Sequence, residues 1–153
     1  MPEPKPRVFL DSNVIFSGLY SSRGAPGIIL ERFIEGRLRV VISQQVLDEV
    51  IQTIKEKLPE ALPALRGLLV NMPPEICKDP APENVKRWMK LMDAGDAAIL
   101  AAAVAAQPDY FVTGDKRFFE NPDIAKKSGL QIITPARFIE SVGKEAGGEG
   151  RRH

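Results

Sequence analysis

V-F-L-D-S-N at residues 8–13 and Y-F-V-T-G-D at residues 110–115 share one pattern, a short unbroken apolar run that leads into an aspartate. Such a run is typical of a strand in a parallel sheet that is covered on both faces. Because parallel strands all end at the same edge of a sheet, we expect Asp11 and Asp115 to converge there. Like charges that are buried together need compensation, and a divalent cation is the usual one. The two stretches therefore predict an acidic metal site on an α/β sheet.

The remainder of the chain alternates strands with helices, which favours βαβ units joined by right-handed crossovers. Strands are predicted at residues 7–10, 39–42, 109–113 and 131–134. Helices are predicted at residues 28–34, 44–58, 59–71, 83–92, 97–106 and 137–142, with Ser43 and Thr134 as N-caps. Residues 21–27 are predicted to form a loop, and residues 75–77 are too few to assign.

The composition is that of an ordinary globular domain. The chain has 153 residues, of which 44% are hydrophobic and 27% charged, and its formal net charge is +1. This length predicts a single domain, residues 1–142, with a core large enough to fold alone. Residues 143–153 are rich in glycine and charge and are predicted to be a flexible tail. The near-zero net charge excludes an overall field that attracts nucleic acid, but it is compatible with a local basic rim.

The scarcity of histidine and cysteine limits the available chemistry. His153 is the only histidine, so a histidine-based triad, a histidine-rich zinc site and a catalytic histidine pair are excluded. The single cysteine, Cys77, excludes an internal disulfide and suits a reducing cytoplasm. No apolar run reaches the roughly 18 residues of a membrane span, and residues 1–7 lack the apolar centre of a signal peptide. We therefore expect a cytoplasmic protein without a membrane partner, whose acid–base chemistry rests on carboxylates or a metal ion.

Each candidate acid also has an ordinary structural interpretation. Asp11 and Asp115 could simply begin turns, and it is their pairing that favours a function. Asp96 could be the cap of the helix beside it. Its position on the same helical face as Ile99, Leu100 and Ala103 nevertheless places an acid against the sheet, where it needs a partner or a metal. Asp93, three residues earlier, could support the site or be an ordinary loop acid, and it is interpreted as a loop acid.

Glu49 and the basic residues of the loops carry weaker signals. By helical phase Glu49 lies away from the apolar stripe of its helix, so periodicity alone predicts a solvated side chain. The loops at or after the strand ends contain candidate phosphate-binding residues, each of which could equally be an ordinary surface charge: Arg23, Lys116 and Arg117.

Four segments, taken in order, resemble the PIN-domain nucleases. They are V-F-L-D-S-N at residues 8–13, Ser43 with Glu49 on the following helix, D-A-G-D-A-A-I at residues 93–99, and V-T-G-D at residues 112–115. The pattern extends from about Arg7 to Val142 and is most similar to bacterial and archaeal toxins of the VapC kind. Ser12 stands where threonine is commoner. Many relatives carry a further acid after the last aspartate. Here Lys116, Arg117 and Phe118 follow, so a fifth acid is missing, and the resemblance supports a first metal position more strongly than a second.

The resemblance implies a three-layer α/β/α sandwich with a central parallel sheet. It also implies a metal-dependent endoribonuclease, the toxin of a toxin–antitoxin pair, with Mg²⁺ or Mn²⁺ as cofactor and RNA as substrate. A cognate antitoxin and homodimerisation are implied as well. The residues that match the catalytic and metal-binding acids are Asp11, Glu49, Asp96 and Asp115, and those that match the supporting polar residues are Asn13, Ser43 and Thr113.

Two other classes of function remain open. The same fold with a weak metal site could be a module that binds RNA or a partner protein, although four retained acids argue against it. A phosphoryl-transfer receiver domain also gathers aspartates at strand ends. It requires a lysine at a later strand end, where this chain has Thr113 and Thr134.

Overall fold

The computed structural model describes residues 5–142, in which helices cover a five-stranded parallel sheet. The strands are β1 (Arg7–Leu10), β2 (Arg39–Ser43), β3 (Glu75–Cys77), β4 (Tyr110–Val112) and β5 (Ile132–Ile133). The helices are α1 (Ser12–Tyr20), α2 (Ala25–Ile34), α3 (Gln44–Lys57), α4 (Leu62–Asn71), α5 (Pro82–Lys86), α6 (Ala94–Ala106), α7 (Pro122–Ser128) and α8 (135–142). Short 3-10 helices lie at Pro59–Ala61 and Lys116–Phe118. The predicted tail, residues 143–153, lies outside the described residues.

The strand order is β3-β2-β1-β4-β5. The chain adds β2 and β3 on one side of β1 and then adds β4 and β5 on the other side, so the strand order reverses between β1 and β4. Right-handed crossovers then place the helices that follow β1 and β2 on one face and those that follow β3 and β4 on the other. This is the predicted three-layer α/β/α sandwich, and it confirms the expected fold class. In sheets of this type ligands bind at the carboxyl edge where the strand order reverses, which here is the edge shared by β1 and β4.

The core forms around the two central strands, as expected for strands that are covered on both faces. In β1, Val8, Phe9 and Leu10 are fully buried, and Phe111 of β4 packs edge-on against Phe9 with ring centroids 5.5 Å apart. The alanine-rich α6 contributes buried small side chains at Ala97 and at 101–103, which allow a helix to approach closely. The buried apolar frame thus fixes the positions of the residues that follow β1 and β4.

Three helix boundaries follow the predicted capping chemistry. The Ser43 side chain accepts a hydrogen bond from Val46 N (3.2 Å) and caps α3. Thr134 Oγ1 accepts one from Arg137 N (3.2 Å) at the start of α8. After α2, Gly36 adopts a left-handed φ of 78°, a conformation that costs glycine little.

Other elements differ from the prediction. The helix predicted at 83–92 ends at Lys86, because the chain then tightens into turns in which Trp88 N bonds Val85 O. Met89, which lies in the part that is not helical, is 48% exposed. Helix α7 occupies a segment to which no helix or strand was assigned from the sequence, and Asn121 caps it by accepting from Asp123 N.

The start of the chain contains a helix that the strand pattern obscured. Asp11 ends β1 and is at the same time the N-cap of α1, where its side chain accepts from Ser12 N. None of the helices within residues 5–142 is long and apolar enough to cross a membrane.

Candidate active site

The register of β1 and β4 brings the first acid to the predicted edge. Leu10 pairs with Val112, and Asp11 N donates to Val112 O at 3.0 Å. The next residues along the two strands, Asp11 and Thr113, are therefore neighbours. Thr113 Oγ1 donates to Asp11 Oδ2 at 2.7 Å, with both residues buried.

The same edge holds a small network of polar groups around Asp11. Asn13 Nδ2 donates to Asp11 Oδ2 at 3.1 Å, and Asn13 Oδ1 accepts from Gly114 N at 3.0 Å. Asp115 N donates to Thr113 Oγ1 at 3.0 Å. The loop that carries Asp115 is thereby tied to β1 and α1.

Glu49 of α3 joins the site from the side. Ser12 Oγ donates to Glu49 Oε1 at 2.9 Å, and Gln45 Nε2 donates to Glu49 Oε2 at 3.1 Å. Gln45 Nε2 also reaches the carbonyl oxygen of Gly95, in the first turn of α6, at 3.1 Å. Glu49 is half-buried, and the side chain of Gln45 links α3 to the start of α6.

Helix α6 supplies the third acid. Its N-cap is Asp93, whose Oδ1 accepts from Asp96 N at 3.0 Å, so the loop acid is the cap and Asp96 lies one turn inside the helix. Asp96 is 7% exposed. Burial, together with the charges of Asp93, Asp115 and Asp11, raises the pKa of Asp96 to about 6, against the lowering effect of Arg117.

Arg117 neutralises the outer part of the acidic cluster. Its Nη2 lies 2.6 Å from Asp115 Oδ2, its Nη1 lies 3.1 Å from Asp96 Oδ2, and the same Nη1 lies 3.9 Å from Asp93 Oδ2. Its Nε and its backbone N also donate to Asp115. Because of these bonds the pKa of Asp115 falls below its usual value and the pKa of Arg117 rises.

Asp11 is in a different electrostatic situation. Burial raises its pKa above the usual aspartate value, while the hydrogen bonds from Thr113 and Ser12 lower it. The charges of Glu49 and Asp115 raise it further. Asp11, Glu49 and Asp115 are therefore near enough for their negative charges to repel one another.

The donor set has the chemistry that Mg²⁺ and Mn²⁺ prefer, since carboxylates that follow β1, lie on α6 and lie in the loop after β4 are near enough to raise one another's pKa. Within residues 5–142, however, no group of three or more His, Cys, Asp or Glu side chains is arranged to hold a metal ion. The guanidinium of Arg117 instead pairs with two of the acids, Asp96 and Asp115. The carboxylates are thus of the chemical type that binds a divalent cation, and the guanidinium of Arg117 lies between Asp96 and Asp115.

A cavity of about 300 Å³ adjoins the acidic cluster. Asp96 and Arg117 contribute to its wall together with Asp93, Leu91, Met92, Glu120 and Asn121. Asp93 and Asp96 therefore face a cleft rather than a closed interior.

The sequence pattern of the PIN domain family matches residues 7–117, which include all four acids. The chain belongs to the PIN domain family. This confirms the resemblance on which Glu49 was selected as a site residue. No curated protein sequence matches the chain significantly.

Solved structures share the PIN fold at low sequence identity. The chain is similar to VapBC2 from Rickettsia felis, solved bound to a DNA fragment from their promoter, with 17% identity, a TM-score of 0.60, and coverage of 84% of this chain and 98% of the other. It is similar to FitAcB from Neisseria gonorrhoeae, with 18% identity, a TM-score of 0.57, and coverage of 84% and 97%. It is also similar to PAE2754 from Pyrobaculum aerophilum, with 16% identity, a TM-score of 0.60, and coverage of 90% of each chain.

The remaining predicted site residues of this PIN domain divide into two groups. Ser43 is fully buried and caps α3, so it orients the helix that carries Glu49. Arg23 and Lys116 are exposed, and within the described residues neither side chain forms an ion pair with the acids. Their role as phosphate-binding residues stays a prediction.

The sequence analysis gave no role to two residues that bond to the candidate acids, Ser12 and Gln45, and it interpreted Asp93, the N-cap of α6, as a loop acid. Gln45 and Glu49 are separated by one helical turn, a spacing at which side chains on a helix meet, so this pair could have been found. Ser12 could not, because its bond to Glu49 joins α1 to α3. The prediction of a solvated Glu49 from helical phase was wrong, because α1 covers that flank of α3.

Proposed function

We propose that this PIN domain is a divalent-metal-dependent endoribonuclease and the toxin component of a toxin–antitoxin pair. The observation that carries the proposal is the gathering of Asp11, Asp96 and Asp115 from distant parts of the chain at the carboxyl edge of β1 and β4. Membership of the PIN family supports the nuclease chemistry. Mg²⁺ or Mn²⁺ is the proposed cofactor, held by these three acids with Glu49.

Each side chain has a distinct part in this proposal. A divalent cation, when bound, supplies a Lewis acid for the scissile phosphate. Asp11 is held in one orientation by Thr113 and Asn13, so its oxygens are available in a fixed place. Asp96, with its pKa of about 6, is largely ionised at neutral pH and can accept a proton from a water molecule in the cleft.

The proposed substrate is single-stranded or looped RNA, cut internally to leave a 5′-phosphate and a 3′-hydroxyl. Loops and ends expose their bases and allow the backbone to enter a cleft. Arg23 and Lys116 are the proposed phosphate contacts, since basic side chains at the rim of an acidic site can bind the flanking backbone. The end groups rest on family resemblance.

The proposed toxin role and partners rest on the structural neighbours. VapBC2 is a complex bound to promoter DNA, and its similarity to this chain in fold supports a cognate antitoxin for this chain too. We propose, in addition, a homodimer in the cytoplasm. Expression of the chain with the product of the neighbouring gene tests the partner, because an antitoxin must copurify with it and suppress its activity.

A second candidate is a catalytically weak PIN module that binds RNA or protein. The observation in its favour is that Arg117 neutralises Asp96 and Asp115 within the chain. A site whose acids remained paired in this way would have no need of a metal.

Cleavage of a mixed RNA pool decides between the two candidates. The native protein with Mn²⁺ or Mg²⁺ is compared with Asp96→Asn, with an EDTA control, and with Asp123→Asn as a matched substitution at an exposed aspartate. Cleavage by the native protein and by Asp123→Asn, lost with Asp96→Asn and with EDTA, is the expected result. RNA binding without metal-dependent cleavage would favour the binding module.

A further inference from the structure

We infer that Arg117 is a built-in competitor for the metal site, a side chain that sets the affinity for Mg²⁺ or Mn²⁺ by holding Asp96 and Asp115 until a cation displaces it. This inference rests on the proposed metal site and deepens it. It concerns which cation neutralises the acids, and it is independent of which RNA is cut.

The contacts of Arg117 place its charge between two of the proposed metal ligands. Nη1 lies 3.1 Å from Asp96 Oδ2, and Nη2 lies 2.6 Å from Asp115 Oδ2. Nε adds contacts of 3.1 Å and 3.0 Å to the two oxygens of Asp115. A carboxylate oxygen that accepts such a charge-assisted bond has less charge and less space to offer a divalent ion.

The two acids differ in how they depend on this arginine. Both oxygens of Asp115 are engaged by Arg117, whereas Asp96 is engaged through Oδ2. Metal binding to both acids therefore requires the guanidinium to leave Asp115 and to withdraw from Asp96. Asp11 is outside this competition, because its partners are Thr113, Asn13 and the backbone N of Ser12.

The Arg117 side chain is much more exposed than the two acids with which it pairs. Its side chain is 59% exposed, while those of Asp96 and Asp115 are 10% and 18% exposed. The acids are fixed by their helix and loop, and the cation is attached through a flexible stem at the mouth of the cleft. Displacement therefore moves the arginine into solvent and leaves the carboxylates in place.

Lys116 provides a matched control for charge. It is the neighbouring residue in the same 3-10 helix, it is exposed, and within residues 5–142 its side chain forms no ion pair. Removing its charge alters the net charge of the protein as much as removing that of Arg117. Only the arginine substitution frees Asp96 and Asp115.

Calorimetric titration of metal-free protein with Mn²⁺, in the absence of RNA, tests the inference. We expect Arg117→Gln to bind Mn²⁺ about tenfold more tightly than the native protein, the effect of losing charge-assisted bonds to the ligands. Lys116→Gln should change the affinity by less than about threefold, because the exposed Lys116 side chain pairs with neither acid and its charge is screened by solvent and salt. Equal affinities for the native protein and Arg117→Gln, weaker binding by Arg117→Gln, or no Mn²⁺ binding by either would overturn the inference.

A second readout follows the arginine directly. In native protein titrated with diamagnetic Mg²⁺, the NMR signal of Arg117 Nε–H should move from its ion-paired position as the site fills. A signal that stays in place while Mg²⁺ binds would show that the ion pairs persist, against the inference. RNA cleavage is measured separately, so tighter Mn²⁺ binding by Arg117→Gln without cleavage by any variant would contradict the proposed function and leave this inference intact.

Discussion

The two sides of the acidic site are neutralised in different ways. On the strand side, Asp11 is buried and accepts its side-chain hydrogen bonds from neutral donors such as Thr113. On the helix side, Asp96 and Asp115 pair with the exposed cation Arg117. Thr113 directly follows β4, so it cannot move away from Asp11 unless the edge of the sheet unfolds. The guanidinium of Arg117 is at the end of a long side chain and can move away from its acids without such unfolding. The comparison teaches that the strand side is held by donors built into the fold, whereas the helix side is held by an exposed cation, which is where our proposal places the exchange of Arg117 for a metal ion.

The largest expected effect on stability comes from Asp96→Asn on the helix side. The folded-state pKa of Asp96 is about 6, above the usual aspartate value, so the folded protein binds this proton more tightly than the unfolded chain. Ionisation therefore costs stability as the pH rises from about 4 to about 6. Because asparagine does not titrate, the variant should be more stable than the native protein by up to about 3 kcal/mol above pH 7 and equal to it below pH 4.

Urea unfolding at pH 4 and pH 8 measures this difference. Asp123→Asn, at an exposed position, should follow the native protein at both values. A stability gain for Asp96→Asn that is the same at both pH values would contradict an ionised, desolvated Asp96.

Thr113→Val tests the strand side, which is held by donors built into the fold. The substitution preserves the shape of the side chain but removes the donor to Asp11 Oδ2 and the acceptor for Asp115 N. We expect a loss of about 2 kcal/mol in the free energy of unfolding at pH 7, because the buried carboxylate of Asp11 loses the shortest of its hydrogen bonds and Asp115 N loses its acceptor. Thr53→Val, on a half-buried position of α3, is the control in urea unfolding, and an equal loss in both variants would refute the special role of Thr113.

The smallest effect is expected for Ser12→Ala. Ser12 follows Asp11 in the chain and bonds Glu49 of α3. The substitution removes the donor to Glu49 Oε1, while Gln45 still donates to Oε2. Stability should fall by about 1 kcal/mol, the net value of one hydrogen bond. Ser17→Ala, at an exposed position of the same helix, should change stability by less than about 0.5 kcal/mol. Thermal or urea unfolding of the pair measures the difference, and equal effects would remove Ser12 from the site.

Much of the fold could be predicted from local sequence because local chemistry decides it. The apolar run at 7–10 forms β1 as predicted, and the caps at Ser43 and Thr134 begin helices where expected. The short strand β3 could not be assigned, because its three residues are ordered by pairing with β2 rather than by their own pattern. Helix α7 was missed, although Asn121 followed by Pro122 is a recognisable helix start.

The candidate site was harder to predict from the sequence than the fold, because its side chains come from separate helices, strands and loops. Periodicity placed Glu49 on the solvent side, and only the covering helix α1 makes it half-buried. Arg117 was chosen as a phosphate contact, a role that requires only a positive charge near a strand end. Its bonds to Asp115, two residues away, are local contacts. Its bond to Asp96 depends on how the start of α6 packs near the loop after β4, and no spacing in the sequence records that distance.

The reversal of strand order between β1 and β4 has a consequence for the chain during its synthesis. Asp11 emerges from the ribosome early, but its partner Thr113 lies 102 residues later. Such distant pairing makes a sheet form slowly and late. β1 cannot complete its pairing until β4 has been synthesised. A truncated or nascent chain that ends before β4 also lacks Thr113 and Asp115. Whatever the completed edge does, unfinished copies of the protein cannot do it.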